Sequence, residues 1–145
     1  RYQVKKNGVD LSVELAEDPL HSRVDAGKLR QVFLNLVLNS LHALEDSEDK
    51  RLLVKTASDV KAGELLVVIR DSGPGIDPEN LDRIFDPFFT TKKPGAGTGL
   101  GLAICYSIVQ EHGGSINVDS TPESGTEFTV RLPLAPDEYE GEETD

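Results

Sequence analysis

One largely apolar segment, Leu29 to Leu44, has helical composition yet contains two asparagines, Asn35 and Asn39, and a histidine, His42. These three positions are i, i+4 and i+7, so the side chains share one face of the predicted helix. A buried carboxamide without a partner costs roughly 1–3 kcal/mol. The amides must therefore either bond to neighbouring backbone or line a polar cavity, and both interpretations are open at this point. An asparagine oxygen is also a neutral ligand suited to Mg²⁺ that phosphates already hold.

The rest of the chain supplies a sheet for such a helix to cover. Alternating apolar and polar residues predict strands at Val9–Leu15, Leu52–Ala57, Glu64–Asp71, Ile116–Val118 and Thr126–Leu132, with His21–Val24 as a short edge strand. Helices are predicted over Lys28–Leu44 with Asp25 as N-cap, over Pro78–Ile84, and over Leu100–His112. We therefore predict an α+β fold, a two-layer α/β sandwich with a mixed sheet of about five strands and helices on one face.

Composition narrows the functional class. The chain has 145 residues, 15 Lys and Arg against 26 Asp and Glu, and a net charge of -11, which argues against nucleic-acid binding. No apolar run reaches the roughly 18 residues of a membrane span, so we expect a cytoplasmic domain without membrane contact, although the parent protein can still be anchored. The absence of Met and the start at Arg1 indicate a piece of a longer protein. We expect one domain over residues 1–135 and an acidic, disordered tail over residues 136–145.

A carboxylate ends one of the predicted strands. The period of two places Asp71 on the apolar face of the strand Glu64–Asp71, where a carboxylate needs a donor. Gly73 and Gly75 follow and allow a flat ligand to approach the backbone. Such a carboxylate would recognise adenine by accepting from its exocyclic amine. The alternative is a turn aspartate that bonds the amides of its own loop.

A glycine-rich segment, Gly95–Leu102, leads directly into the last predicted helix. Free N–H groups and the helix dipole favour an anion there, and glycines let phosphates approach the backbone. Lys92 and Lys93 lie just upstream, within the predicted mobile loop Asp86–Thr98. The alternatives are a flexible linker and solvated lysines.

In this order the motifs resemble the catalytic ATP-binding domain of sensor histidine kinases, and specifically the nitrogen-regulation type. That family belongs to the superfamily that also holds DNA gyrase and the mismatch-repair ATPases. The resemblance extends from about Val9 to Leu134. It is carried by segments similar to the N box, the first glycine box, the F box, the second glycine box and the last glycine box, at Gln31–Asn39, Asp71–Gly75, Ile84–Lys92, Gly97–Leu102 and Gly125–Phe128. It implies the Bergerat ATP-binding fold, with ATP and Mg²⁺ as ligands.

The resemblance also implies roles for single residues. Asp71 would accept from the adenine amino group with help from Thr126, Asn39 would ligate Mg²⁺, and Asn35 would support it or bind phosphate. The implied catalytic residues are Asn35, Asn39 and Lys92. The implied nucleotide-binding residues are Asn35, Asn39, His42, Ala43, Asp71, Gly73, Gly75, Ile76, Phe88, Thr91, Lys92, Gly97, Thr98, Gly99, Leu100, Gly101, Leu102 and Thr126. His42 departs from the basic or polar residue that many relatives carry there.

The residue four positions before Asn39 separates two reaction types. Hydrolysing relatives carry a glutamate there as a base for water, whereas this chain has Asn35, which cannot take up a proton. The resemblance therefore implies transfer of the γ-phosphoryl group to a histidine on a separate dimerisation domain, with a response regulator downstream. No histidine of this chain lies in the family's acceptor motif, so we expect no autophosphorylation by this fragment alone. The alternatives are an ATPase or protein-serine kinase of the same superfamily, and a non-catalytic nucleotide-sensing module.

Three phenylalanines at the start of the predicted loop and just before it have two possible roles. Phe85, Phe88 and Phe89 would either contact the acceptor helices as part of a lid or pack in the core of this domain.

Overall fold

The computed structural model describes residues 2–6, 8–17, 21–89 and 101–135. Its elements are β1 (Tyr2–Lys6), β2 (Val9–Glu14), α1 (Ala26–Leu44), β3 (Arg51–Asp59), β4 (Glu64–Asp71), α2 (Pro78–Leu81), α3 (Gly101–Glu111), β5 (Ser115–Thr121) and β6 (Gly125–Pro133). The strands form one sheet in the order β1-β2-β3-β4-β6-β5. Strands β2 and β3 are parallel and every other neighbouring pair is antiparallel, so the predicted mixed sheet and two-layer fold are confirmed.

The edge of the sheet differs from the prediction. Residues His21–Val24 do not form a strand, and the edge strand is β1, which pairs with β2 and raises the strand count to six. Residue 21 contributes one main-chain bond, from the Ala135 N–H to the His21 carbonyl oxygen at 2.7 Å. The residues after His21 lead directly into α1, and Val24 packs against the core. This segment therefore forms no ladder of strand hydrogen bonds.

Strand register determines which side chains face the helices. Ile69 lies between Val54 of β3 and Phe128 of β6, and Phe128 in turn lies beside Val118 of β5. Because side chains alternate along a strand, the inward face continues from Ile69 to Asp71, the last residue of β4. Helix α1 packs on β3 and β4, α3 packs on β5, and the two helices contact each other.

Helix α1 begins and packs as its sequence predicts. The Asp25 Oδ1 accepts from the Lys28 N–H at 3.1 Å, which caps one of the free amides of the first turn. The buried residues of the helix recur at intervals of three and four, which matches one helix face; they are Leu29, Val32, Leu36, Ser40 and Leu44. One of these inward positions, Ser40, is therefore polar.

A histidine joins the end of α3 to the start of α1. The His112 Nδ1 lies 2.7 Å from the Ile108 carbonyl oxygen, and its Nε2 accepts from the Asp25 N–H at 3.0 Å. A carbonyl only accepts and an N–H only donates, so the ring proton belongs on Nδ1. The neutral imidazole therefore ties both helices together.

Within the described ranges, no helix has both the length and the apolarity needed to cross a bilayer.

Two glycines with positive φ allow the cost of backbone strain to be compared with the cost of steric overlap. A Cβ added at Gly63 (φ 67°) would meet nothing within 4 Å, whereas a Cβ at Gly125 (φ 87°) would overlap the main-chain carbonyl of Asp71. We expect Gly63→Ala to cost about 1–2 kcal/mol of unfolding free energy from the left-handed backbone alone, and Gly125→Ala to cost at least about 2 kcal/mol more. Urea unfolding followed by circular dichroism measures both, and equal losses would contradict the close packing of β6 against Asp71.

Candidate functional site

The carboxyl group of Asp71 is the centre of the site. Its residue is 2% exposed, and it lies beside Leu52 of β3 and Thr126 of β6 in the sheet register. Its Oδ1 accepts from the Gly73 N–H at 2.9 Å. Burial raises the pKa of Asp71, while hydrogen bonds from the Gly73 amide, the Ser40 hydroxyl and the Thr126 amide act in the opposite direction. Desolvation is the largest of these effects, so the carboxylate is under-compensated by its protein partners.

The glycine after Asp71 lets helix α1 approach the carboxylate. A Cβ at Gly73 would lie 2.9 Å from the Asp71 Oδ1, 3.1 Å from the Ala43 carbonyl oxygen and 3.3 Å from the Ala43 Cβ. Only glycine allows the strand end and the helix to pack this closely. The structure therefore brings three predicted site residues, Ala43, Asp71 and Gly73, into one wall.

The following turn is held against β5. Gly75 has φ 78°, and a Cβ there would overlap the main chain of Thr121. The next amide, the N–H of Ile76, donates to the Ser120 Oγ at 2.7 Å. Ser120 Oγ also lies 3.0 Å from the Gly125 carbonyl oxygen and 3.0 Å from the Thr126 Oγ1. One hydroxyl thus joins the glycine turn, β5 and β6 beside Asp71.

A second hydroxyl lies behind the carboxylate. Ser40 is 1% exposed, and its Oγ has no partner in full hydrogen-bonding geometry among the described residues, although it is near enough to lower the pKa of Asp71. With its proton directed at the Asp71 carboxylate, this hydroxyl keeps two acceptor lone pairs in a buried position. A polar ligand that brings a donor to Ser40 would satisfy them.

Sequence reasoning missed both serines. Ser120 occupies an inward position of β5, after Ile116 and Val118, and Ser40 falls between the buried Leu36 and Leu44 of α1. The sequence does contain a signal for them, because each serine occupies a position where the helix or strand period predicts an apolar residue.

The two asparagines of α1 are partly buried and His42 is exposed. Burial raises the pKa of the Cys105 thiol on α3 to about 11, and a hydrogen bond from the Asn35 side chain opposes this effect. Asn35 therefore lies near Cys105 of α3, and the thiol itself donates to the Val32 carbonyl oxygen at 3.6 Å. Asn39, one turn later on the same face, points along the stripe between Asn35 and Ala43.

The start of α3 and the phenylalanines complete the described part of the site. A Cβ at Gly101 would meet nothing within 4 Å, and Leu102 packs against the core. Phe85 and Phe89 also pack against the core, whereas Phe88 is 72% exposed with φ 67°. Of the two roles considered for the phenylalanines, packing in the core of this domain therefore applies to Phe85 and Phe89.

Several predicted site residues lie outside the described residues, namely Thr91, Lys92, Gly97, Thr98, Gly99 and Leu100. Within the described ranges, no group of three or more His, Cys, Asp or Glu residues is arranged to hold a metal ion.

The fold agrees with a single family. Residues 24–136 match the model of the histidine kinase-, DNA gyrase B- and HSP90-like ATPases, and the chain belongs to that family. Within it, the chain is homologous to the catalytic ATP-binding domains of sensor histidine kinases, as the motifs implied.

Two solved structures show the same fold. The catalytic domain of the histidine kinase ThkA, in a nucleotide-free form, is 35% identical with a TM-score of 0.75, and the match covers 88% of this chain and 82% of that one. Full-length ShkA in complex with AMPPNP is 29% identical with a TM-score of 0.73, and the match covers 88% of this chain and 26% of that one.

Full-length relatives are much longer than this chain. Sporulation kinase A of Bacillus subtilis is 34% identical over 131 residues, which are 90% of this chain and 21% of the relative. Sensor histidine kinase ZraS of Klebsiella oxytoca is 40% identical over 126 residues, which are 86% of this chain and 26% of the relative. The chain therefore spans about a fifth to a quarter of these two relatives.

Burial of the charged Asp71 carboxylate is expected to lower the free energy of unfolding. Because its pKa is raised, the folded state takes up a proton more readily than the unfolded state as the pH falls. The charged carboxylate thus costs stability at neutral pH, and the cost shrinks as the pH falls towards the ordinary pKa of an aspartate. Asp71→Asn keeps an oxygen for the Gly73 amide, so we expect it to raise the urea midpoint at pH 7, by an amount that decreases on acidification.

The control is Asp119→Asn, which removes the same charge from an exposed position on β5. If both variants gain stability equally, the effect comes from the net charge of the chain and not from burial of Asp71.

Proposed function

We propose that this chain is the ATP-binding catalytic domain of a two-component sensor histidine kinase. It binds Mg-ATP and donates the γ-phosphoryl group to a histidine on a separate dimerisation domain. That histidine then passes the phosphoryl group to a response regulator. The observation that carries the proposal is the buried, under-compensated carboxylate of Asp71, which packs closely against Gly73 and Ala43.

The adenine end of the site follows from this carboxylate. The Asp71 Oδ1 is occupied by the Gly73 amide, and we assign the adenine amino group to Oδ2. Gly73 and Ala43 would present small side chains and backbone to the flat ring, with Gly75 and Ile76 at its border. Thr126 and Ser40 supply hydroxyls beside the carboxylate, either directly or through water.

The phosphate end lies towards α3. Asn39 supplies a neutral oxygen for Mg²⁺, which suits a metal that phosphate oxygens also hold. Asn35, His42 and the segment Gly97–Leu102 at the start of α3 would contact phosphates, with Thr91 and Lys92 in the lid. The chain has a net charge of -11, so the cation is needed to offset repulsion between protein and triphosphate.

The reaction type rests on Asn35. Its carboxamide cannot take up a proton and so cannot act as a base. Activation of water is thus disfavoured, whereas an imidazole nucleophile needs no strong base from this domain. Catalysis then consists of positioning and charge neutralisation. An ATPase or protein-serine kinase of the same superfamily, and a non-catalytic nucleotide sensor, are the alternatives that the following experiments separate.

Calorimetry tests nucleotide binding. We expect ADP and a non-hydrolysable ATP analogue to bind the wild-type chain, Mg²⁺ to strengthen the binding, and Asp71→Asn to weaken it about a hundredfold, because a charged acceptor is lost and an amide donor faces the adenine amine. Asp119→Asn is the matched control and binds like the wild type. A folded wild-type chain that binds neither nucleotide would contradict the proposed function.

Phosphotransfer is tested with labelled ATP. We expect no label on this chain alone, and label on the dimerisation domain of the parent protein when both are mixed, because the acceptor histidine lies outside residues 1–145. Asp71→Asn serves as the binding-deficient control. Label on this chain alone, or release of free phosphate without transfer, would favour a different reaction.

A further inference from the structure

We infer that Ser120 fixes the direction of the Thr126 hydroxyl and so leaves the adenine end of the site with acceptors only. Ser120 would then be a positioning residue that sets selectivity for a 6-aminopurine over a 6-oxopurine. The inference rests on the proposed nucleotide-binding function, and it concerns a residue that the motifs do not include.

Three partners surround the Ser120 hydroxyl. The Ile76 N–H lies 2.7 Å from its Oγ, the Gly125 carbonyl oxygen 3.0 Å and the Thr126 Oγ1 3.0 Å. The first partner can only donate and the second can only accept, while a hydroxyl can do either. Ser120 is 8% exposed and Thr126 is 5% exposed, so bulk water does not substitute for these partners.

A single assignment of protons satisfies all three contacts. Ser120 has one proton, and the Gly125 carbonyl oxygen requires it. If Ser120 donated to Thr126 instead, its oxygen would lie 3.0 Å from the Gly125 oxygen with no proton between them, which is repulsive. The Thr126 hydroxyl therefore donates its proton to Ser120, and Ser120 accepts from both Ile76 and Thr126.

Thr126 then has only lone pairs left for a ligand. It is the register partner of Asp71, and both side chains are on the inward face of the sheet. A carboxylate and a hydroxyl oxygen without an available proton form one acceptor surface. An exocyclic amine donates to such a surface, whereas the 6-oxo group of hypoxanthine brings an acceptor against acceptors.

The test compares ADP with inosine diphosphate in the wild type, Ser120→Ala and Ser120→Thr, by calorimetry at pH 8. We expect the wild type to prefer ADP by at least about tenfold, since unmatched buried polar groups penalise the wrong ligand strongly. In Ser120→Ala the Thr126 proton is released, so the ratio of the two Kd values falls about tenfold. Ser120→Thr keeps the hydroxyl and retains the wild-type ratio.

The ratio separates positioning from a structural role, because general loosening of the pocket weakens both nucleotides alike. A wild type that fails to bind ADP would contradict the proposed function itself. A wild type that binds ADP selectively, with an unchanged ratio in a folded Ser120→Ala variant, would overturn this inference alone.

A second measurement does not depend on any variant folding. Neutron diffraction on the perdeuterated wild-type chain locates the deuteron of each hydroxyl. We expect one deuteron on the Thr126 Oγ1 directed at Ser120, and one on the Ser120 Oγ directed at Gly125. A Ser120 deuteron directed at Thr126 would overturn the inference.

Discussion

The desolvation of one carboxylate controls the rest of this site. Asp71 continues the apolar face of β4 to the last residue of the strand, where burial raises its pKa. Its nearest partners contribute main-chain and hydroxyl groups that offset the burial only in part. A buried carboxylate with too few hydrogen-bond donors favours a ligand that supplies a donor and excludes bulk water. The surrounding packing leaves the residue only 2% exposed.

Glycines and serines perform this packing in different ways. Gly73 lets helix α1 and the Asp71 carboxylate come closer together than a Cβ would permit, and Gly125 does the same for β6 and the Asp71 main-chain carbonyl. Ser120 joins the glycine turn to β6 through one oxygen with three partners. The glycines therefore shape the pocket, whereas the serine fixes the polarity of its hydrogen bonds. Under the proposed function, the shape of the pocket admits a flat ring, and the direction of its hydrogen bonds determines which edge of the ring binds.

The sequence predicted the parts of this arrangement that depend on period. Alternation placed Asp71 and Thr126 on the inward face, and the helical period placed Asn35 and Asn39 on one stripe. It missed β1, whose pairing with β2 depends on contacts between distant residues, and it placed a strand at His21–Val24. It also passed over Ser40 and Ser120, because a serine in an apolar pattern has no meaning until the partner it faces is known. Order of the motifs, not the chemistry of any single one, revealed the family.

Helix α1 connects the two ends of the site. Ala43 and Ser40 lie at the carboxylate, while Asn35 contacts Cys105 on α3. The eight steps from Asn35 to Ala43 span about 12 Å of rigid helix, so a shift of α1 along its axis moves both ends together. His112 joins the start of α1 to the end of α3, which opposes such a shift. The distance between the wall formed by Ala43, Asp71 and Gly73 and the start of α3 is therefore set by helix packing.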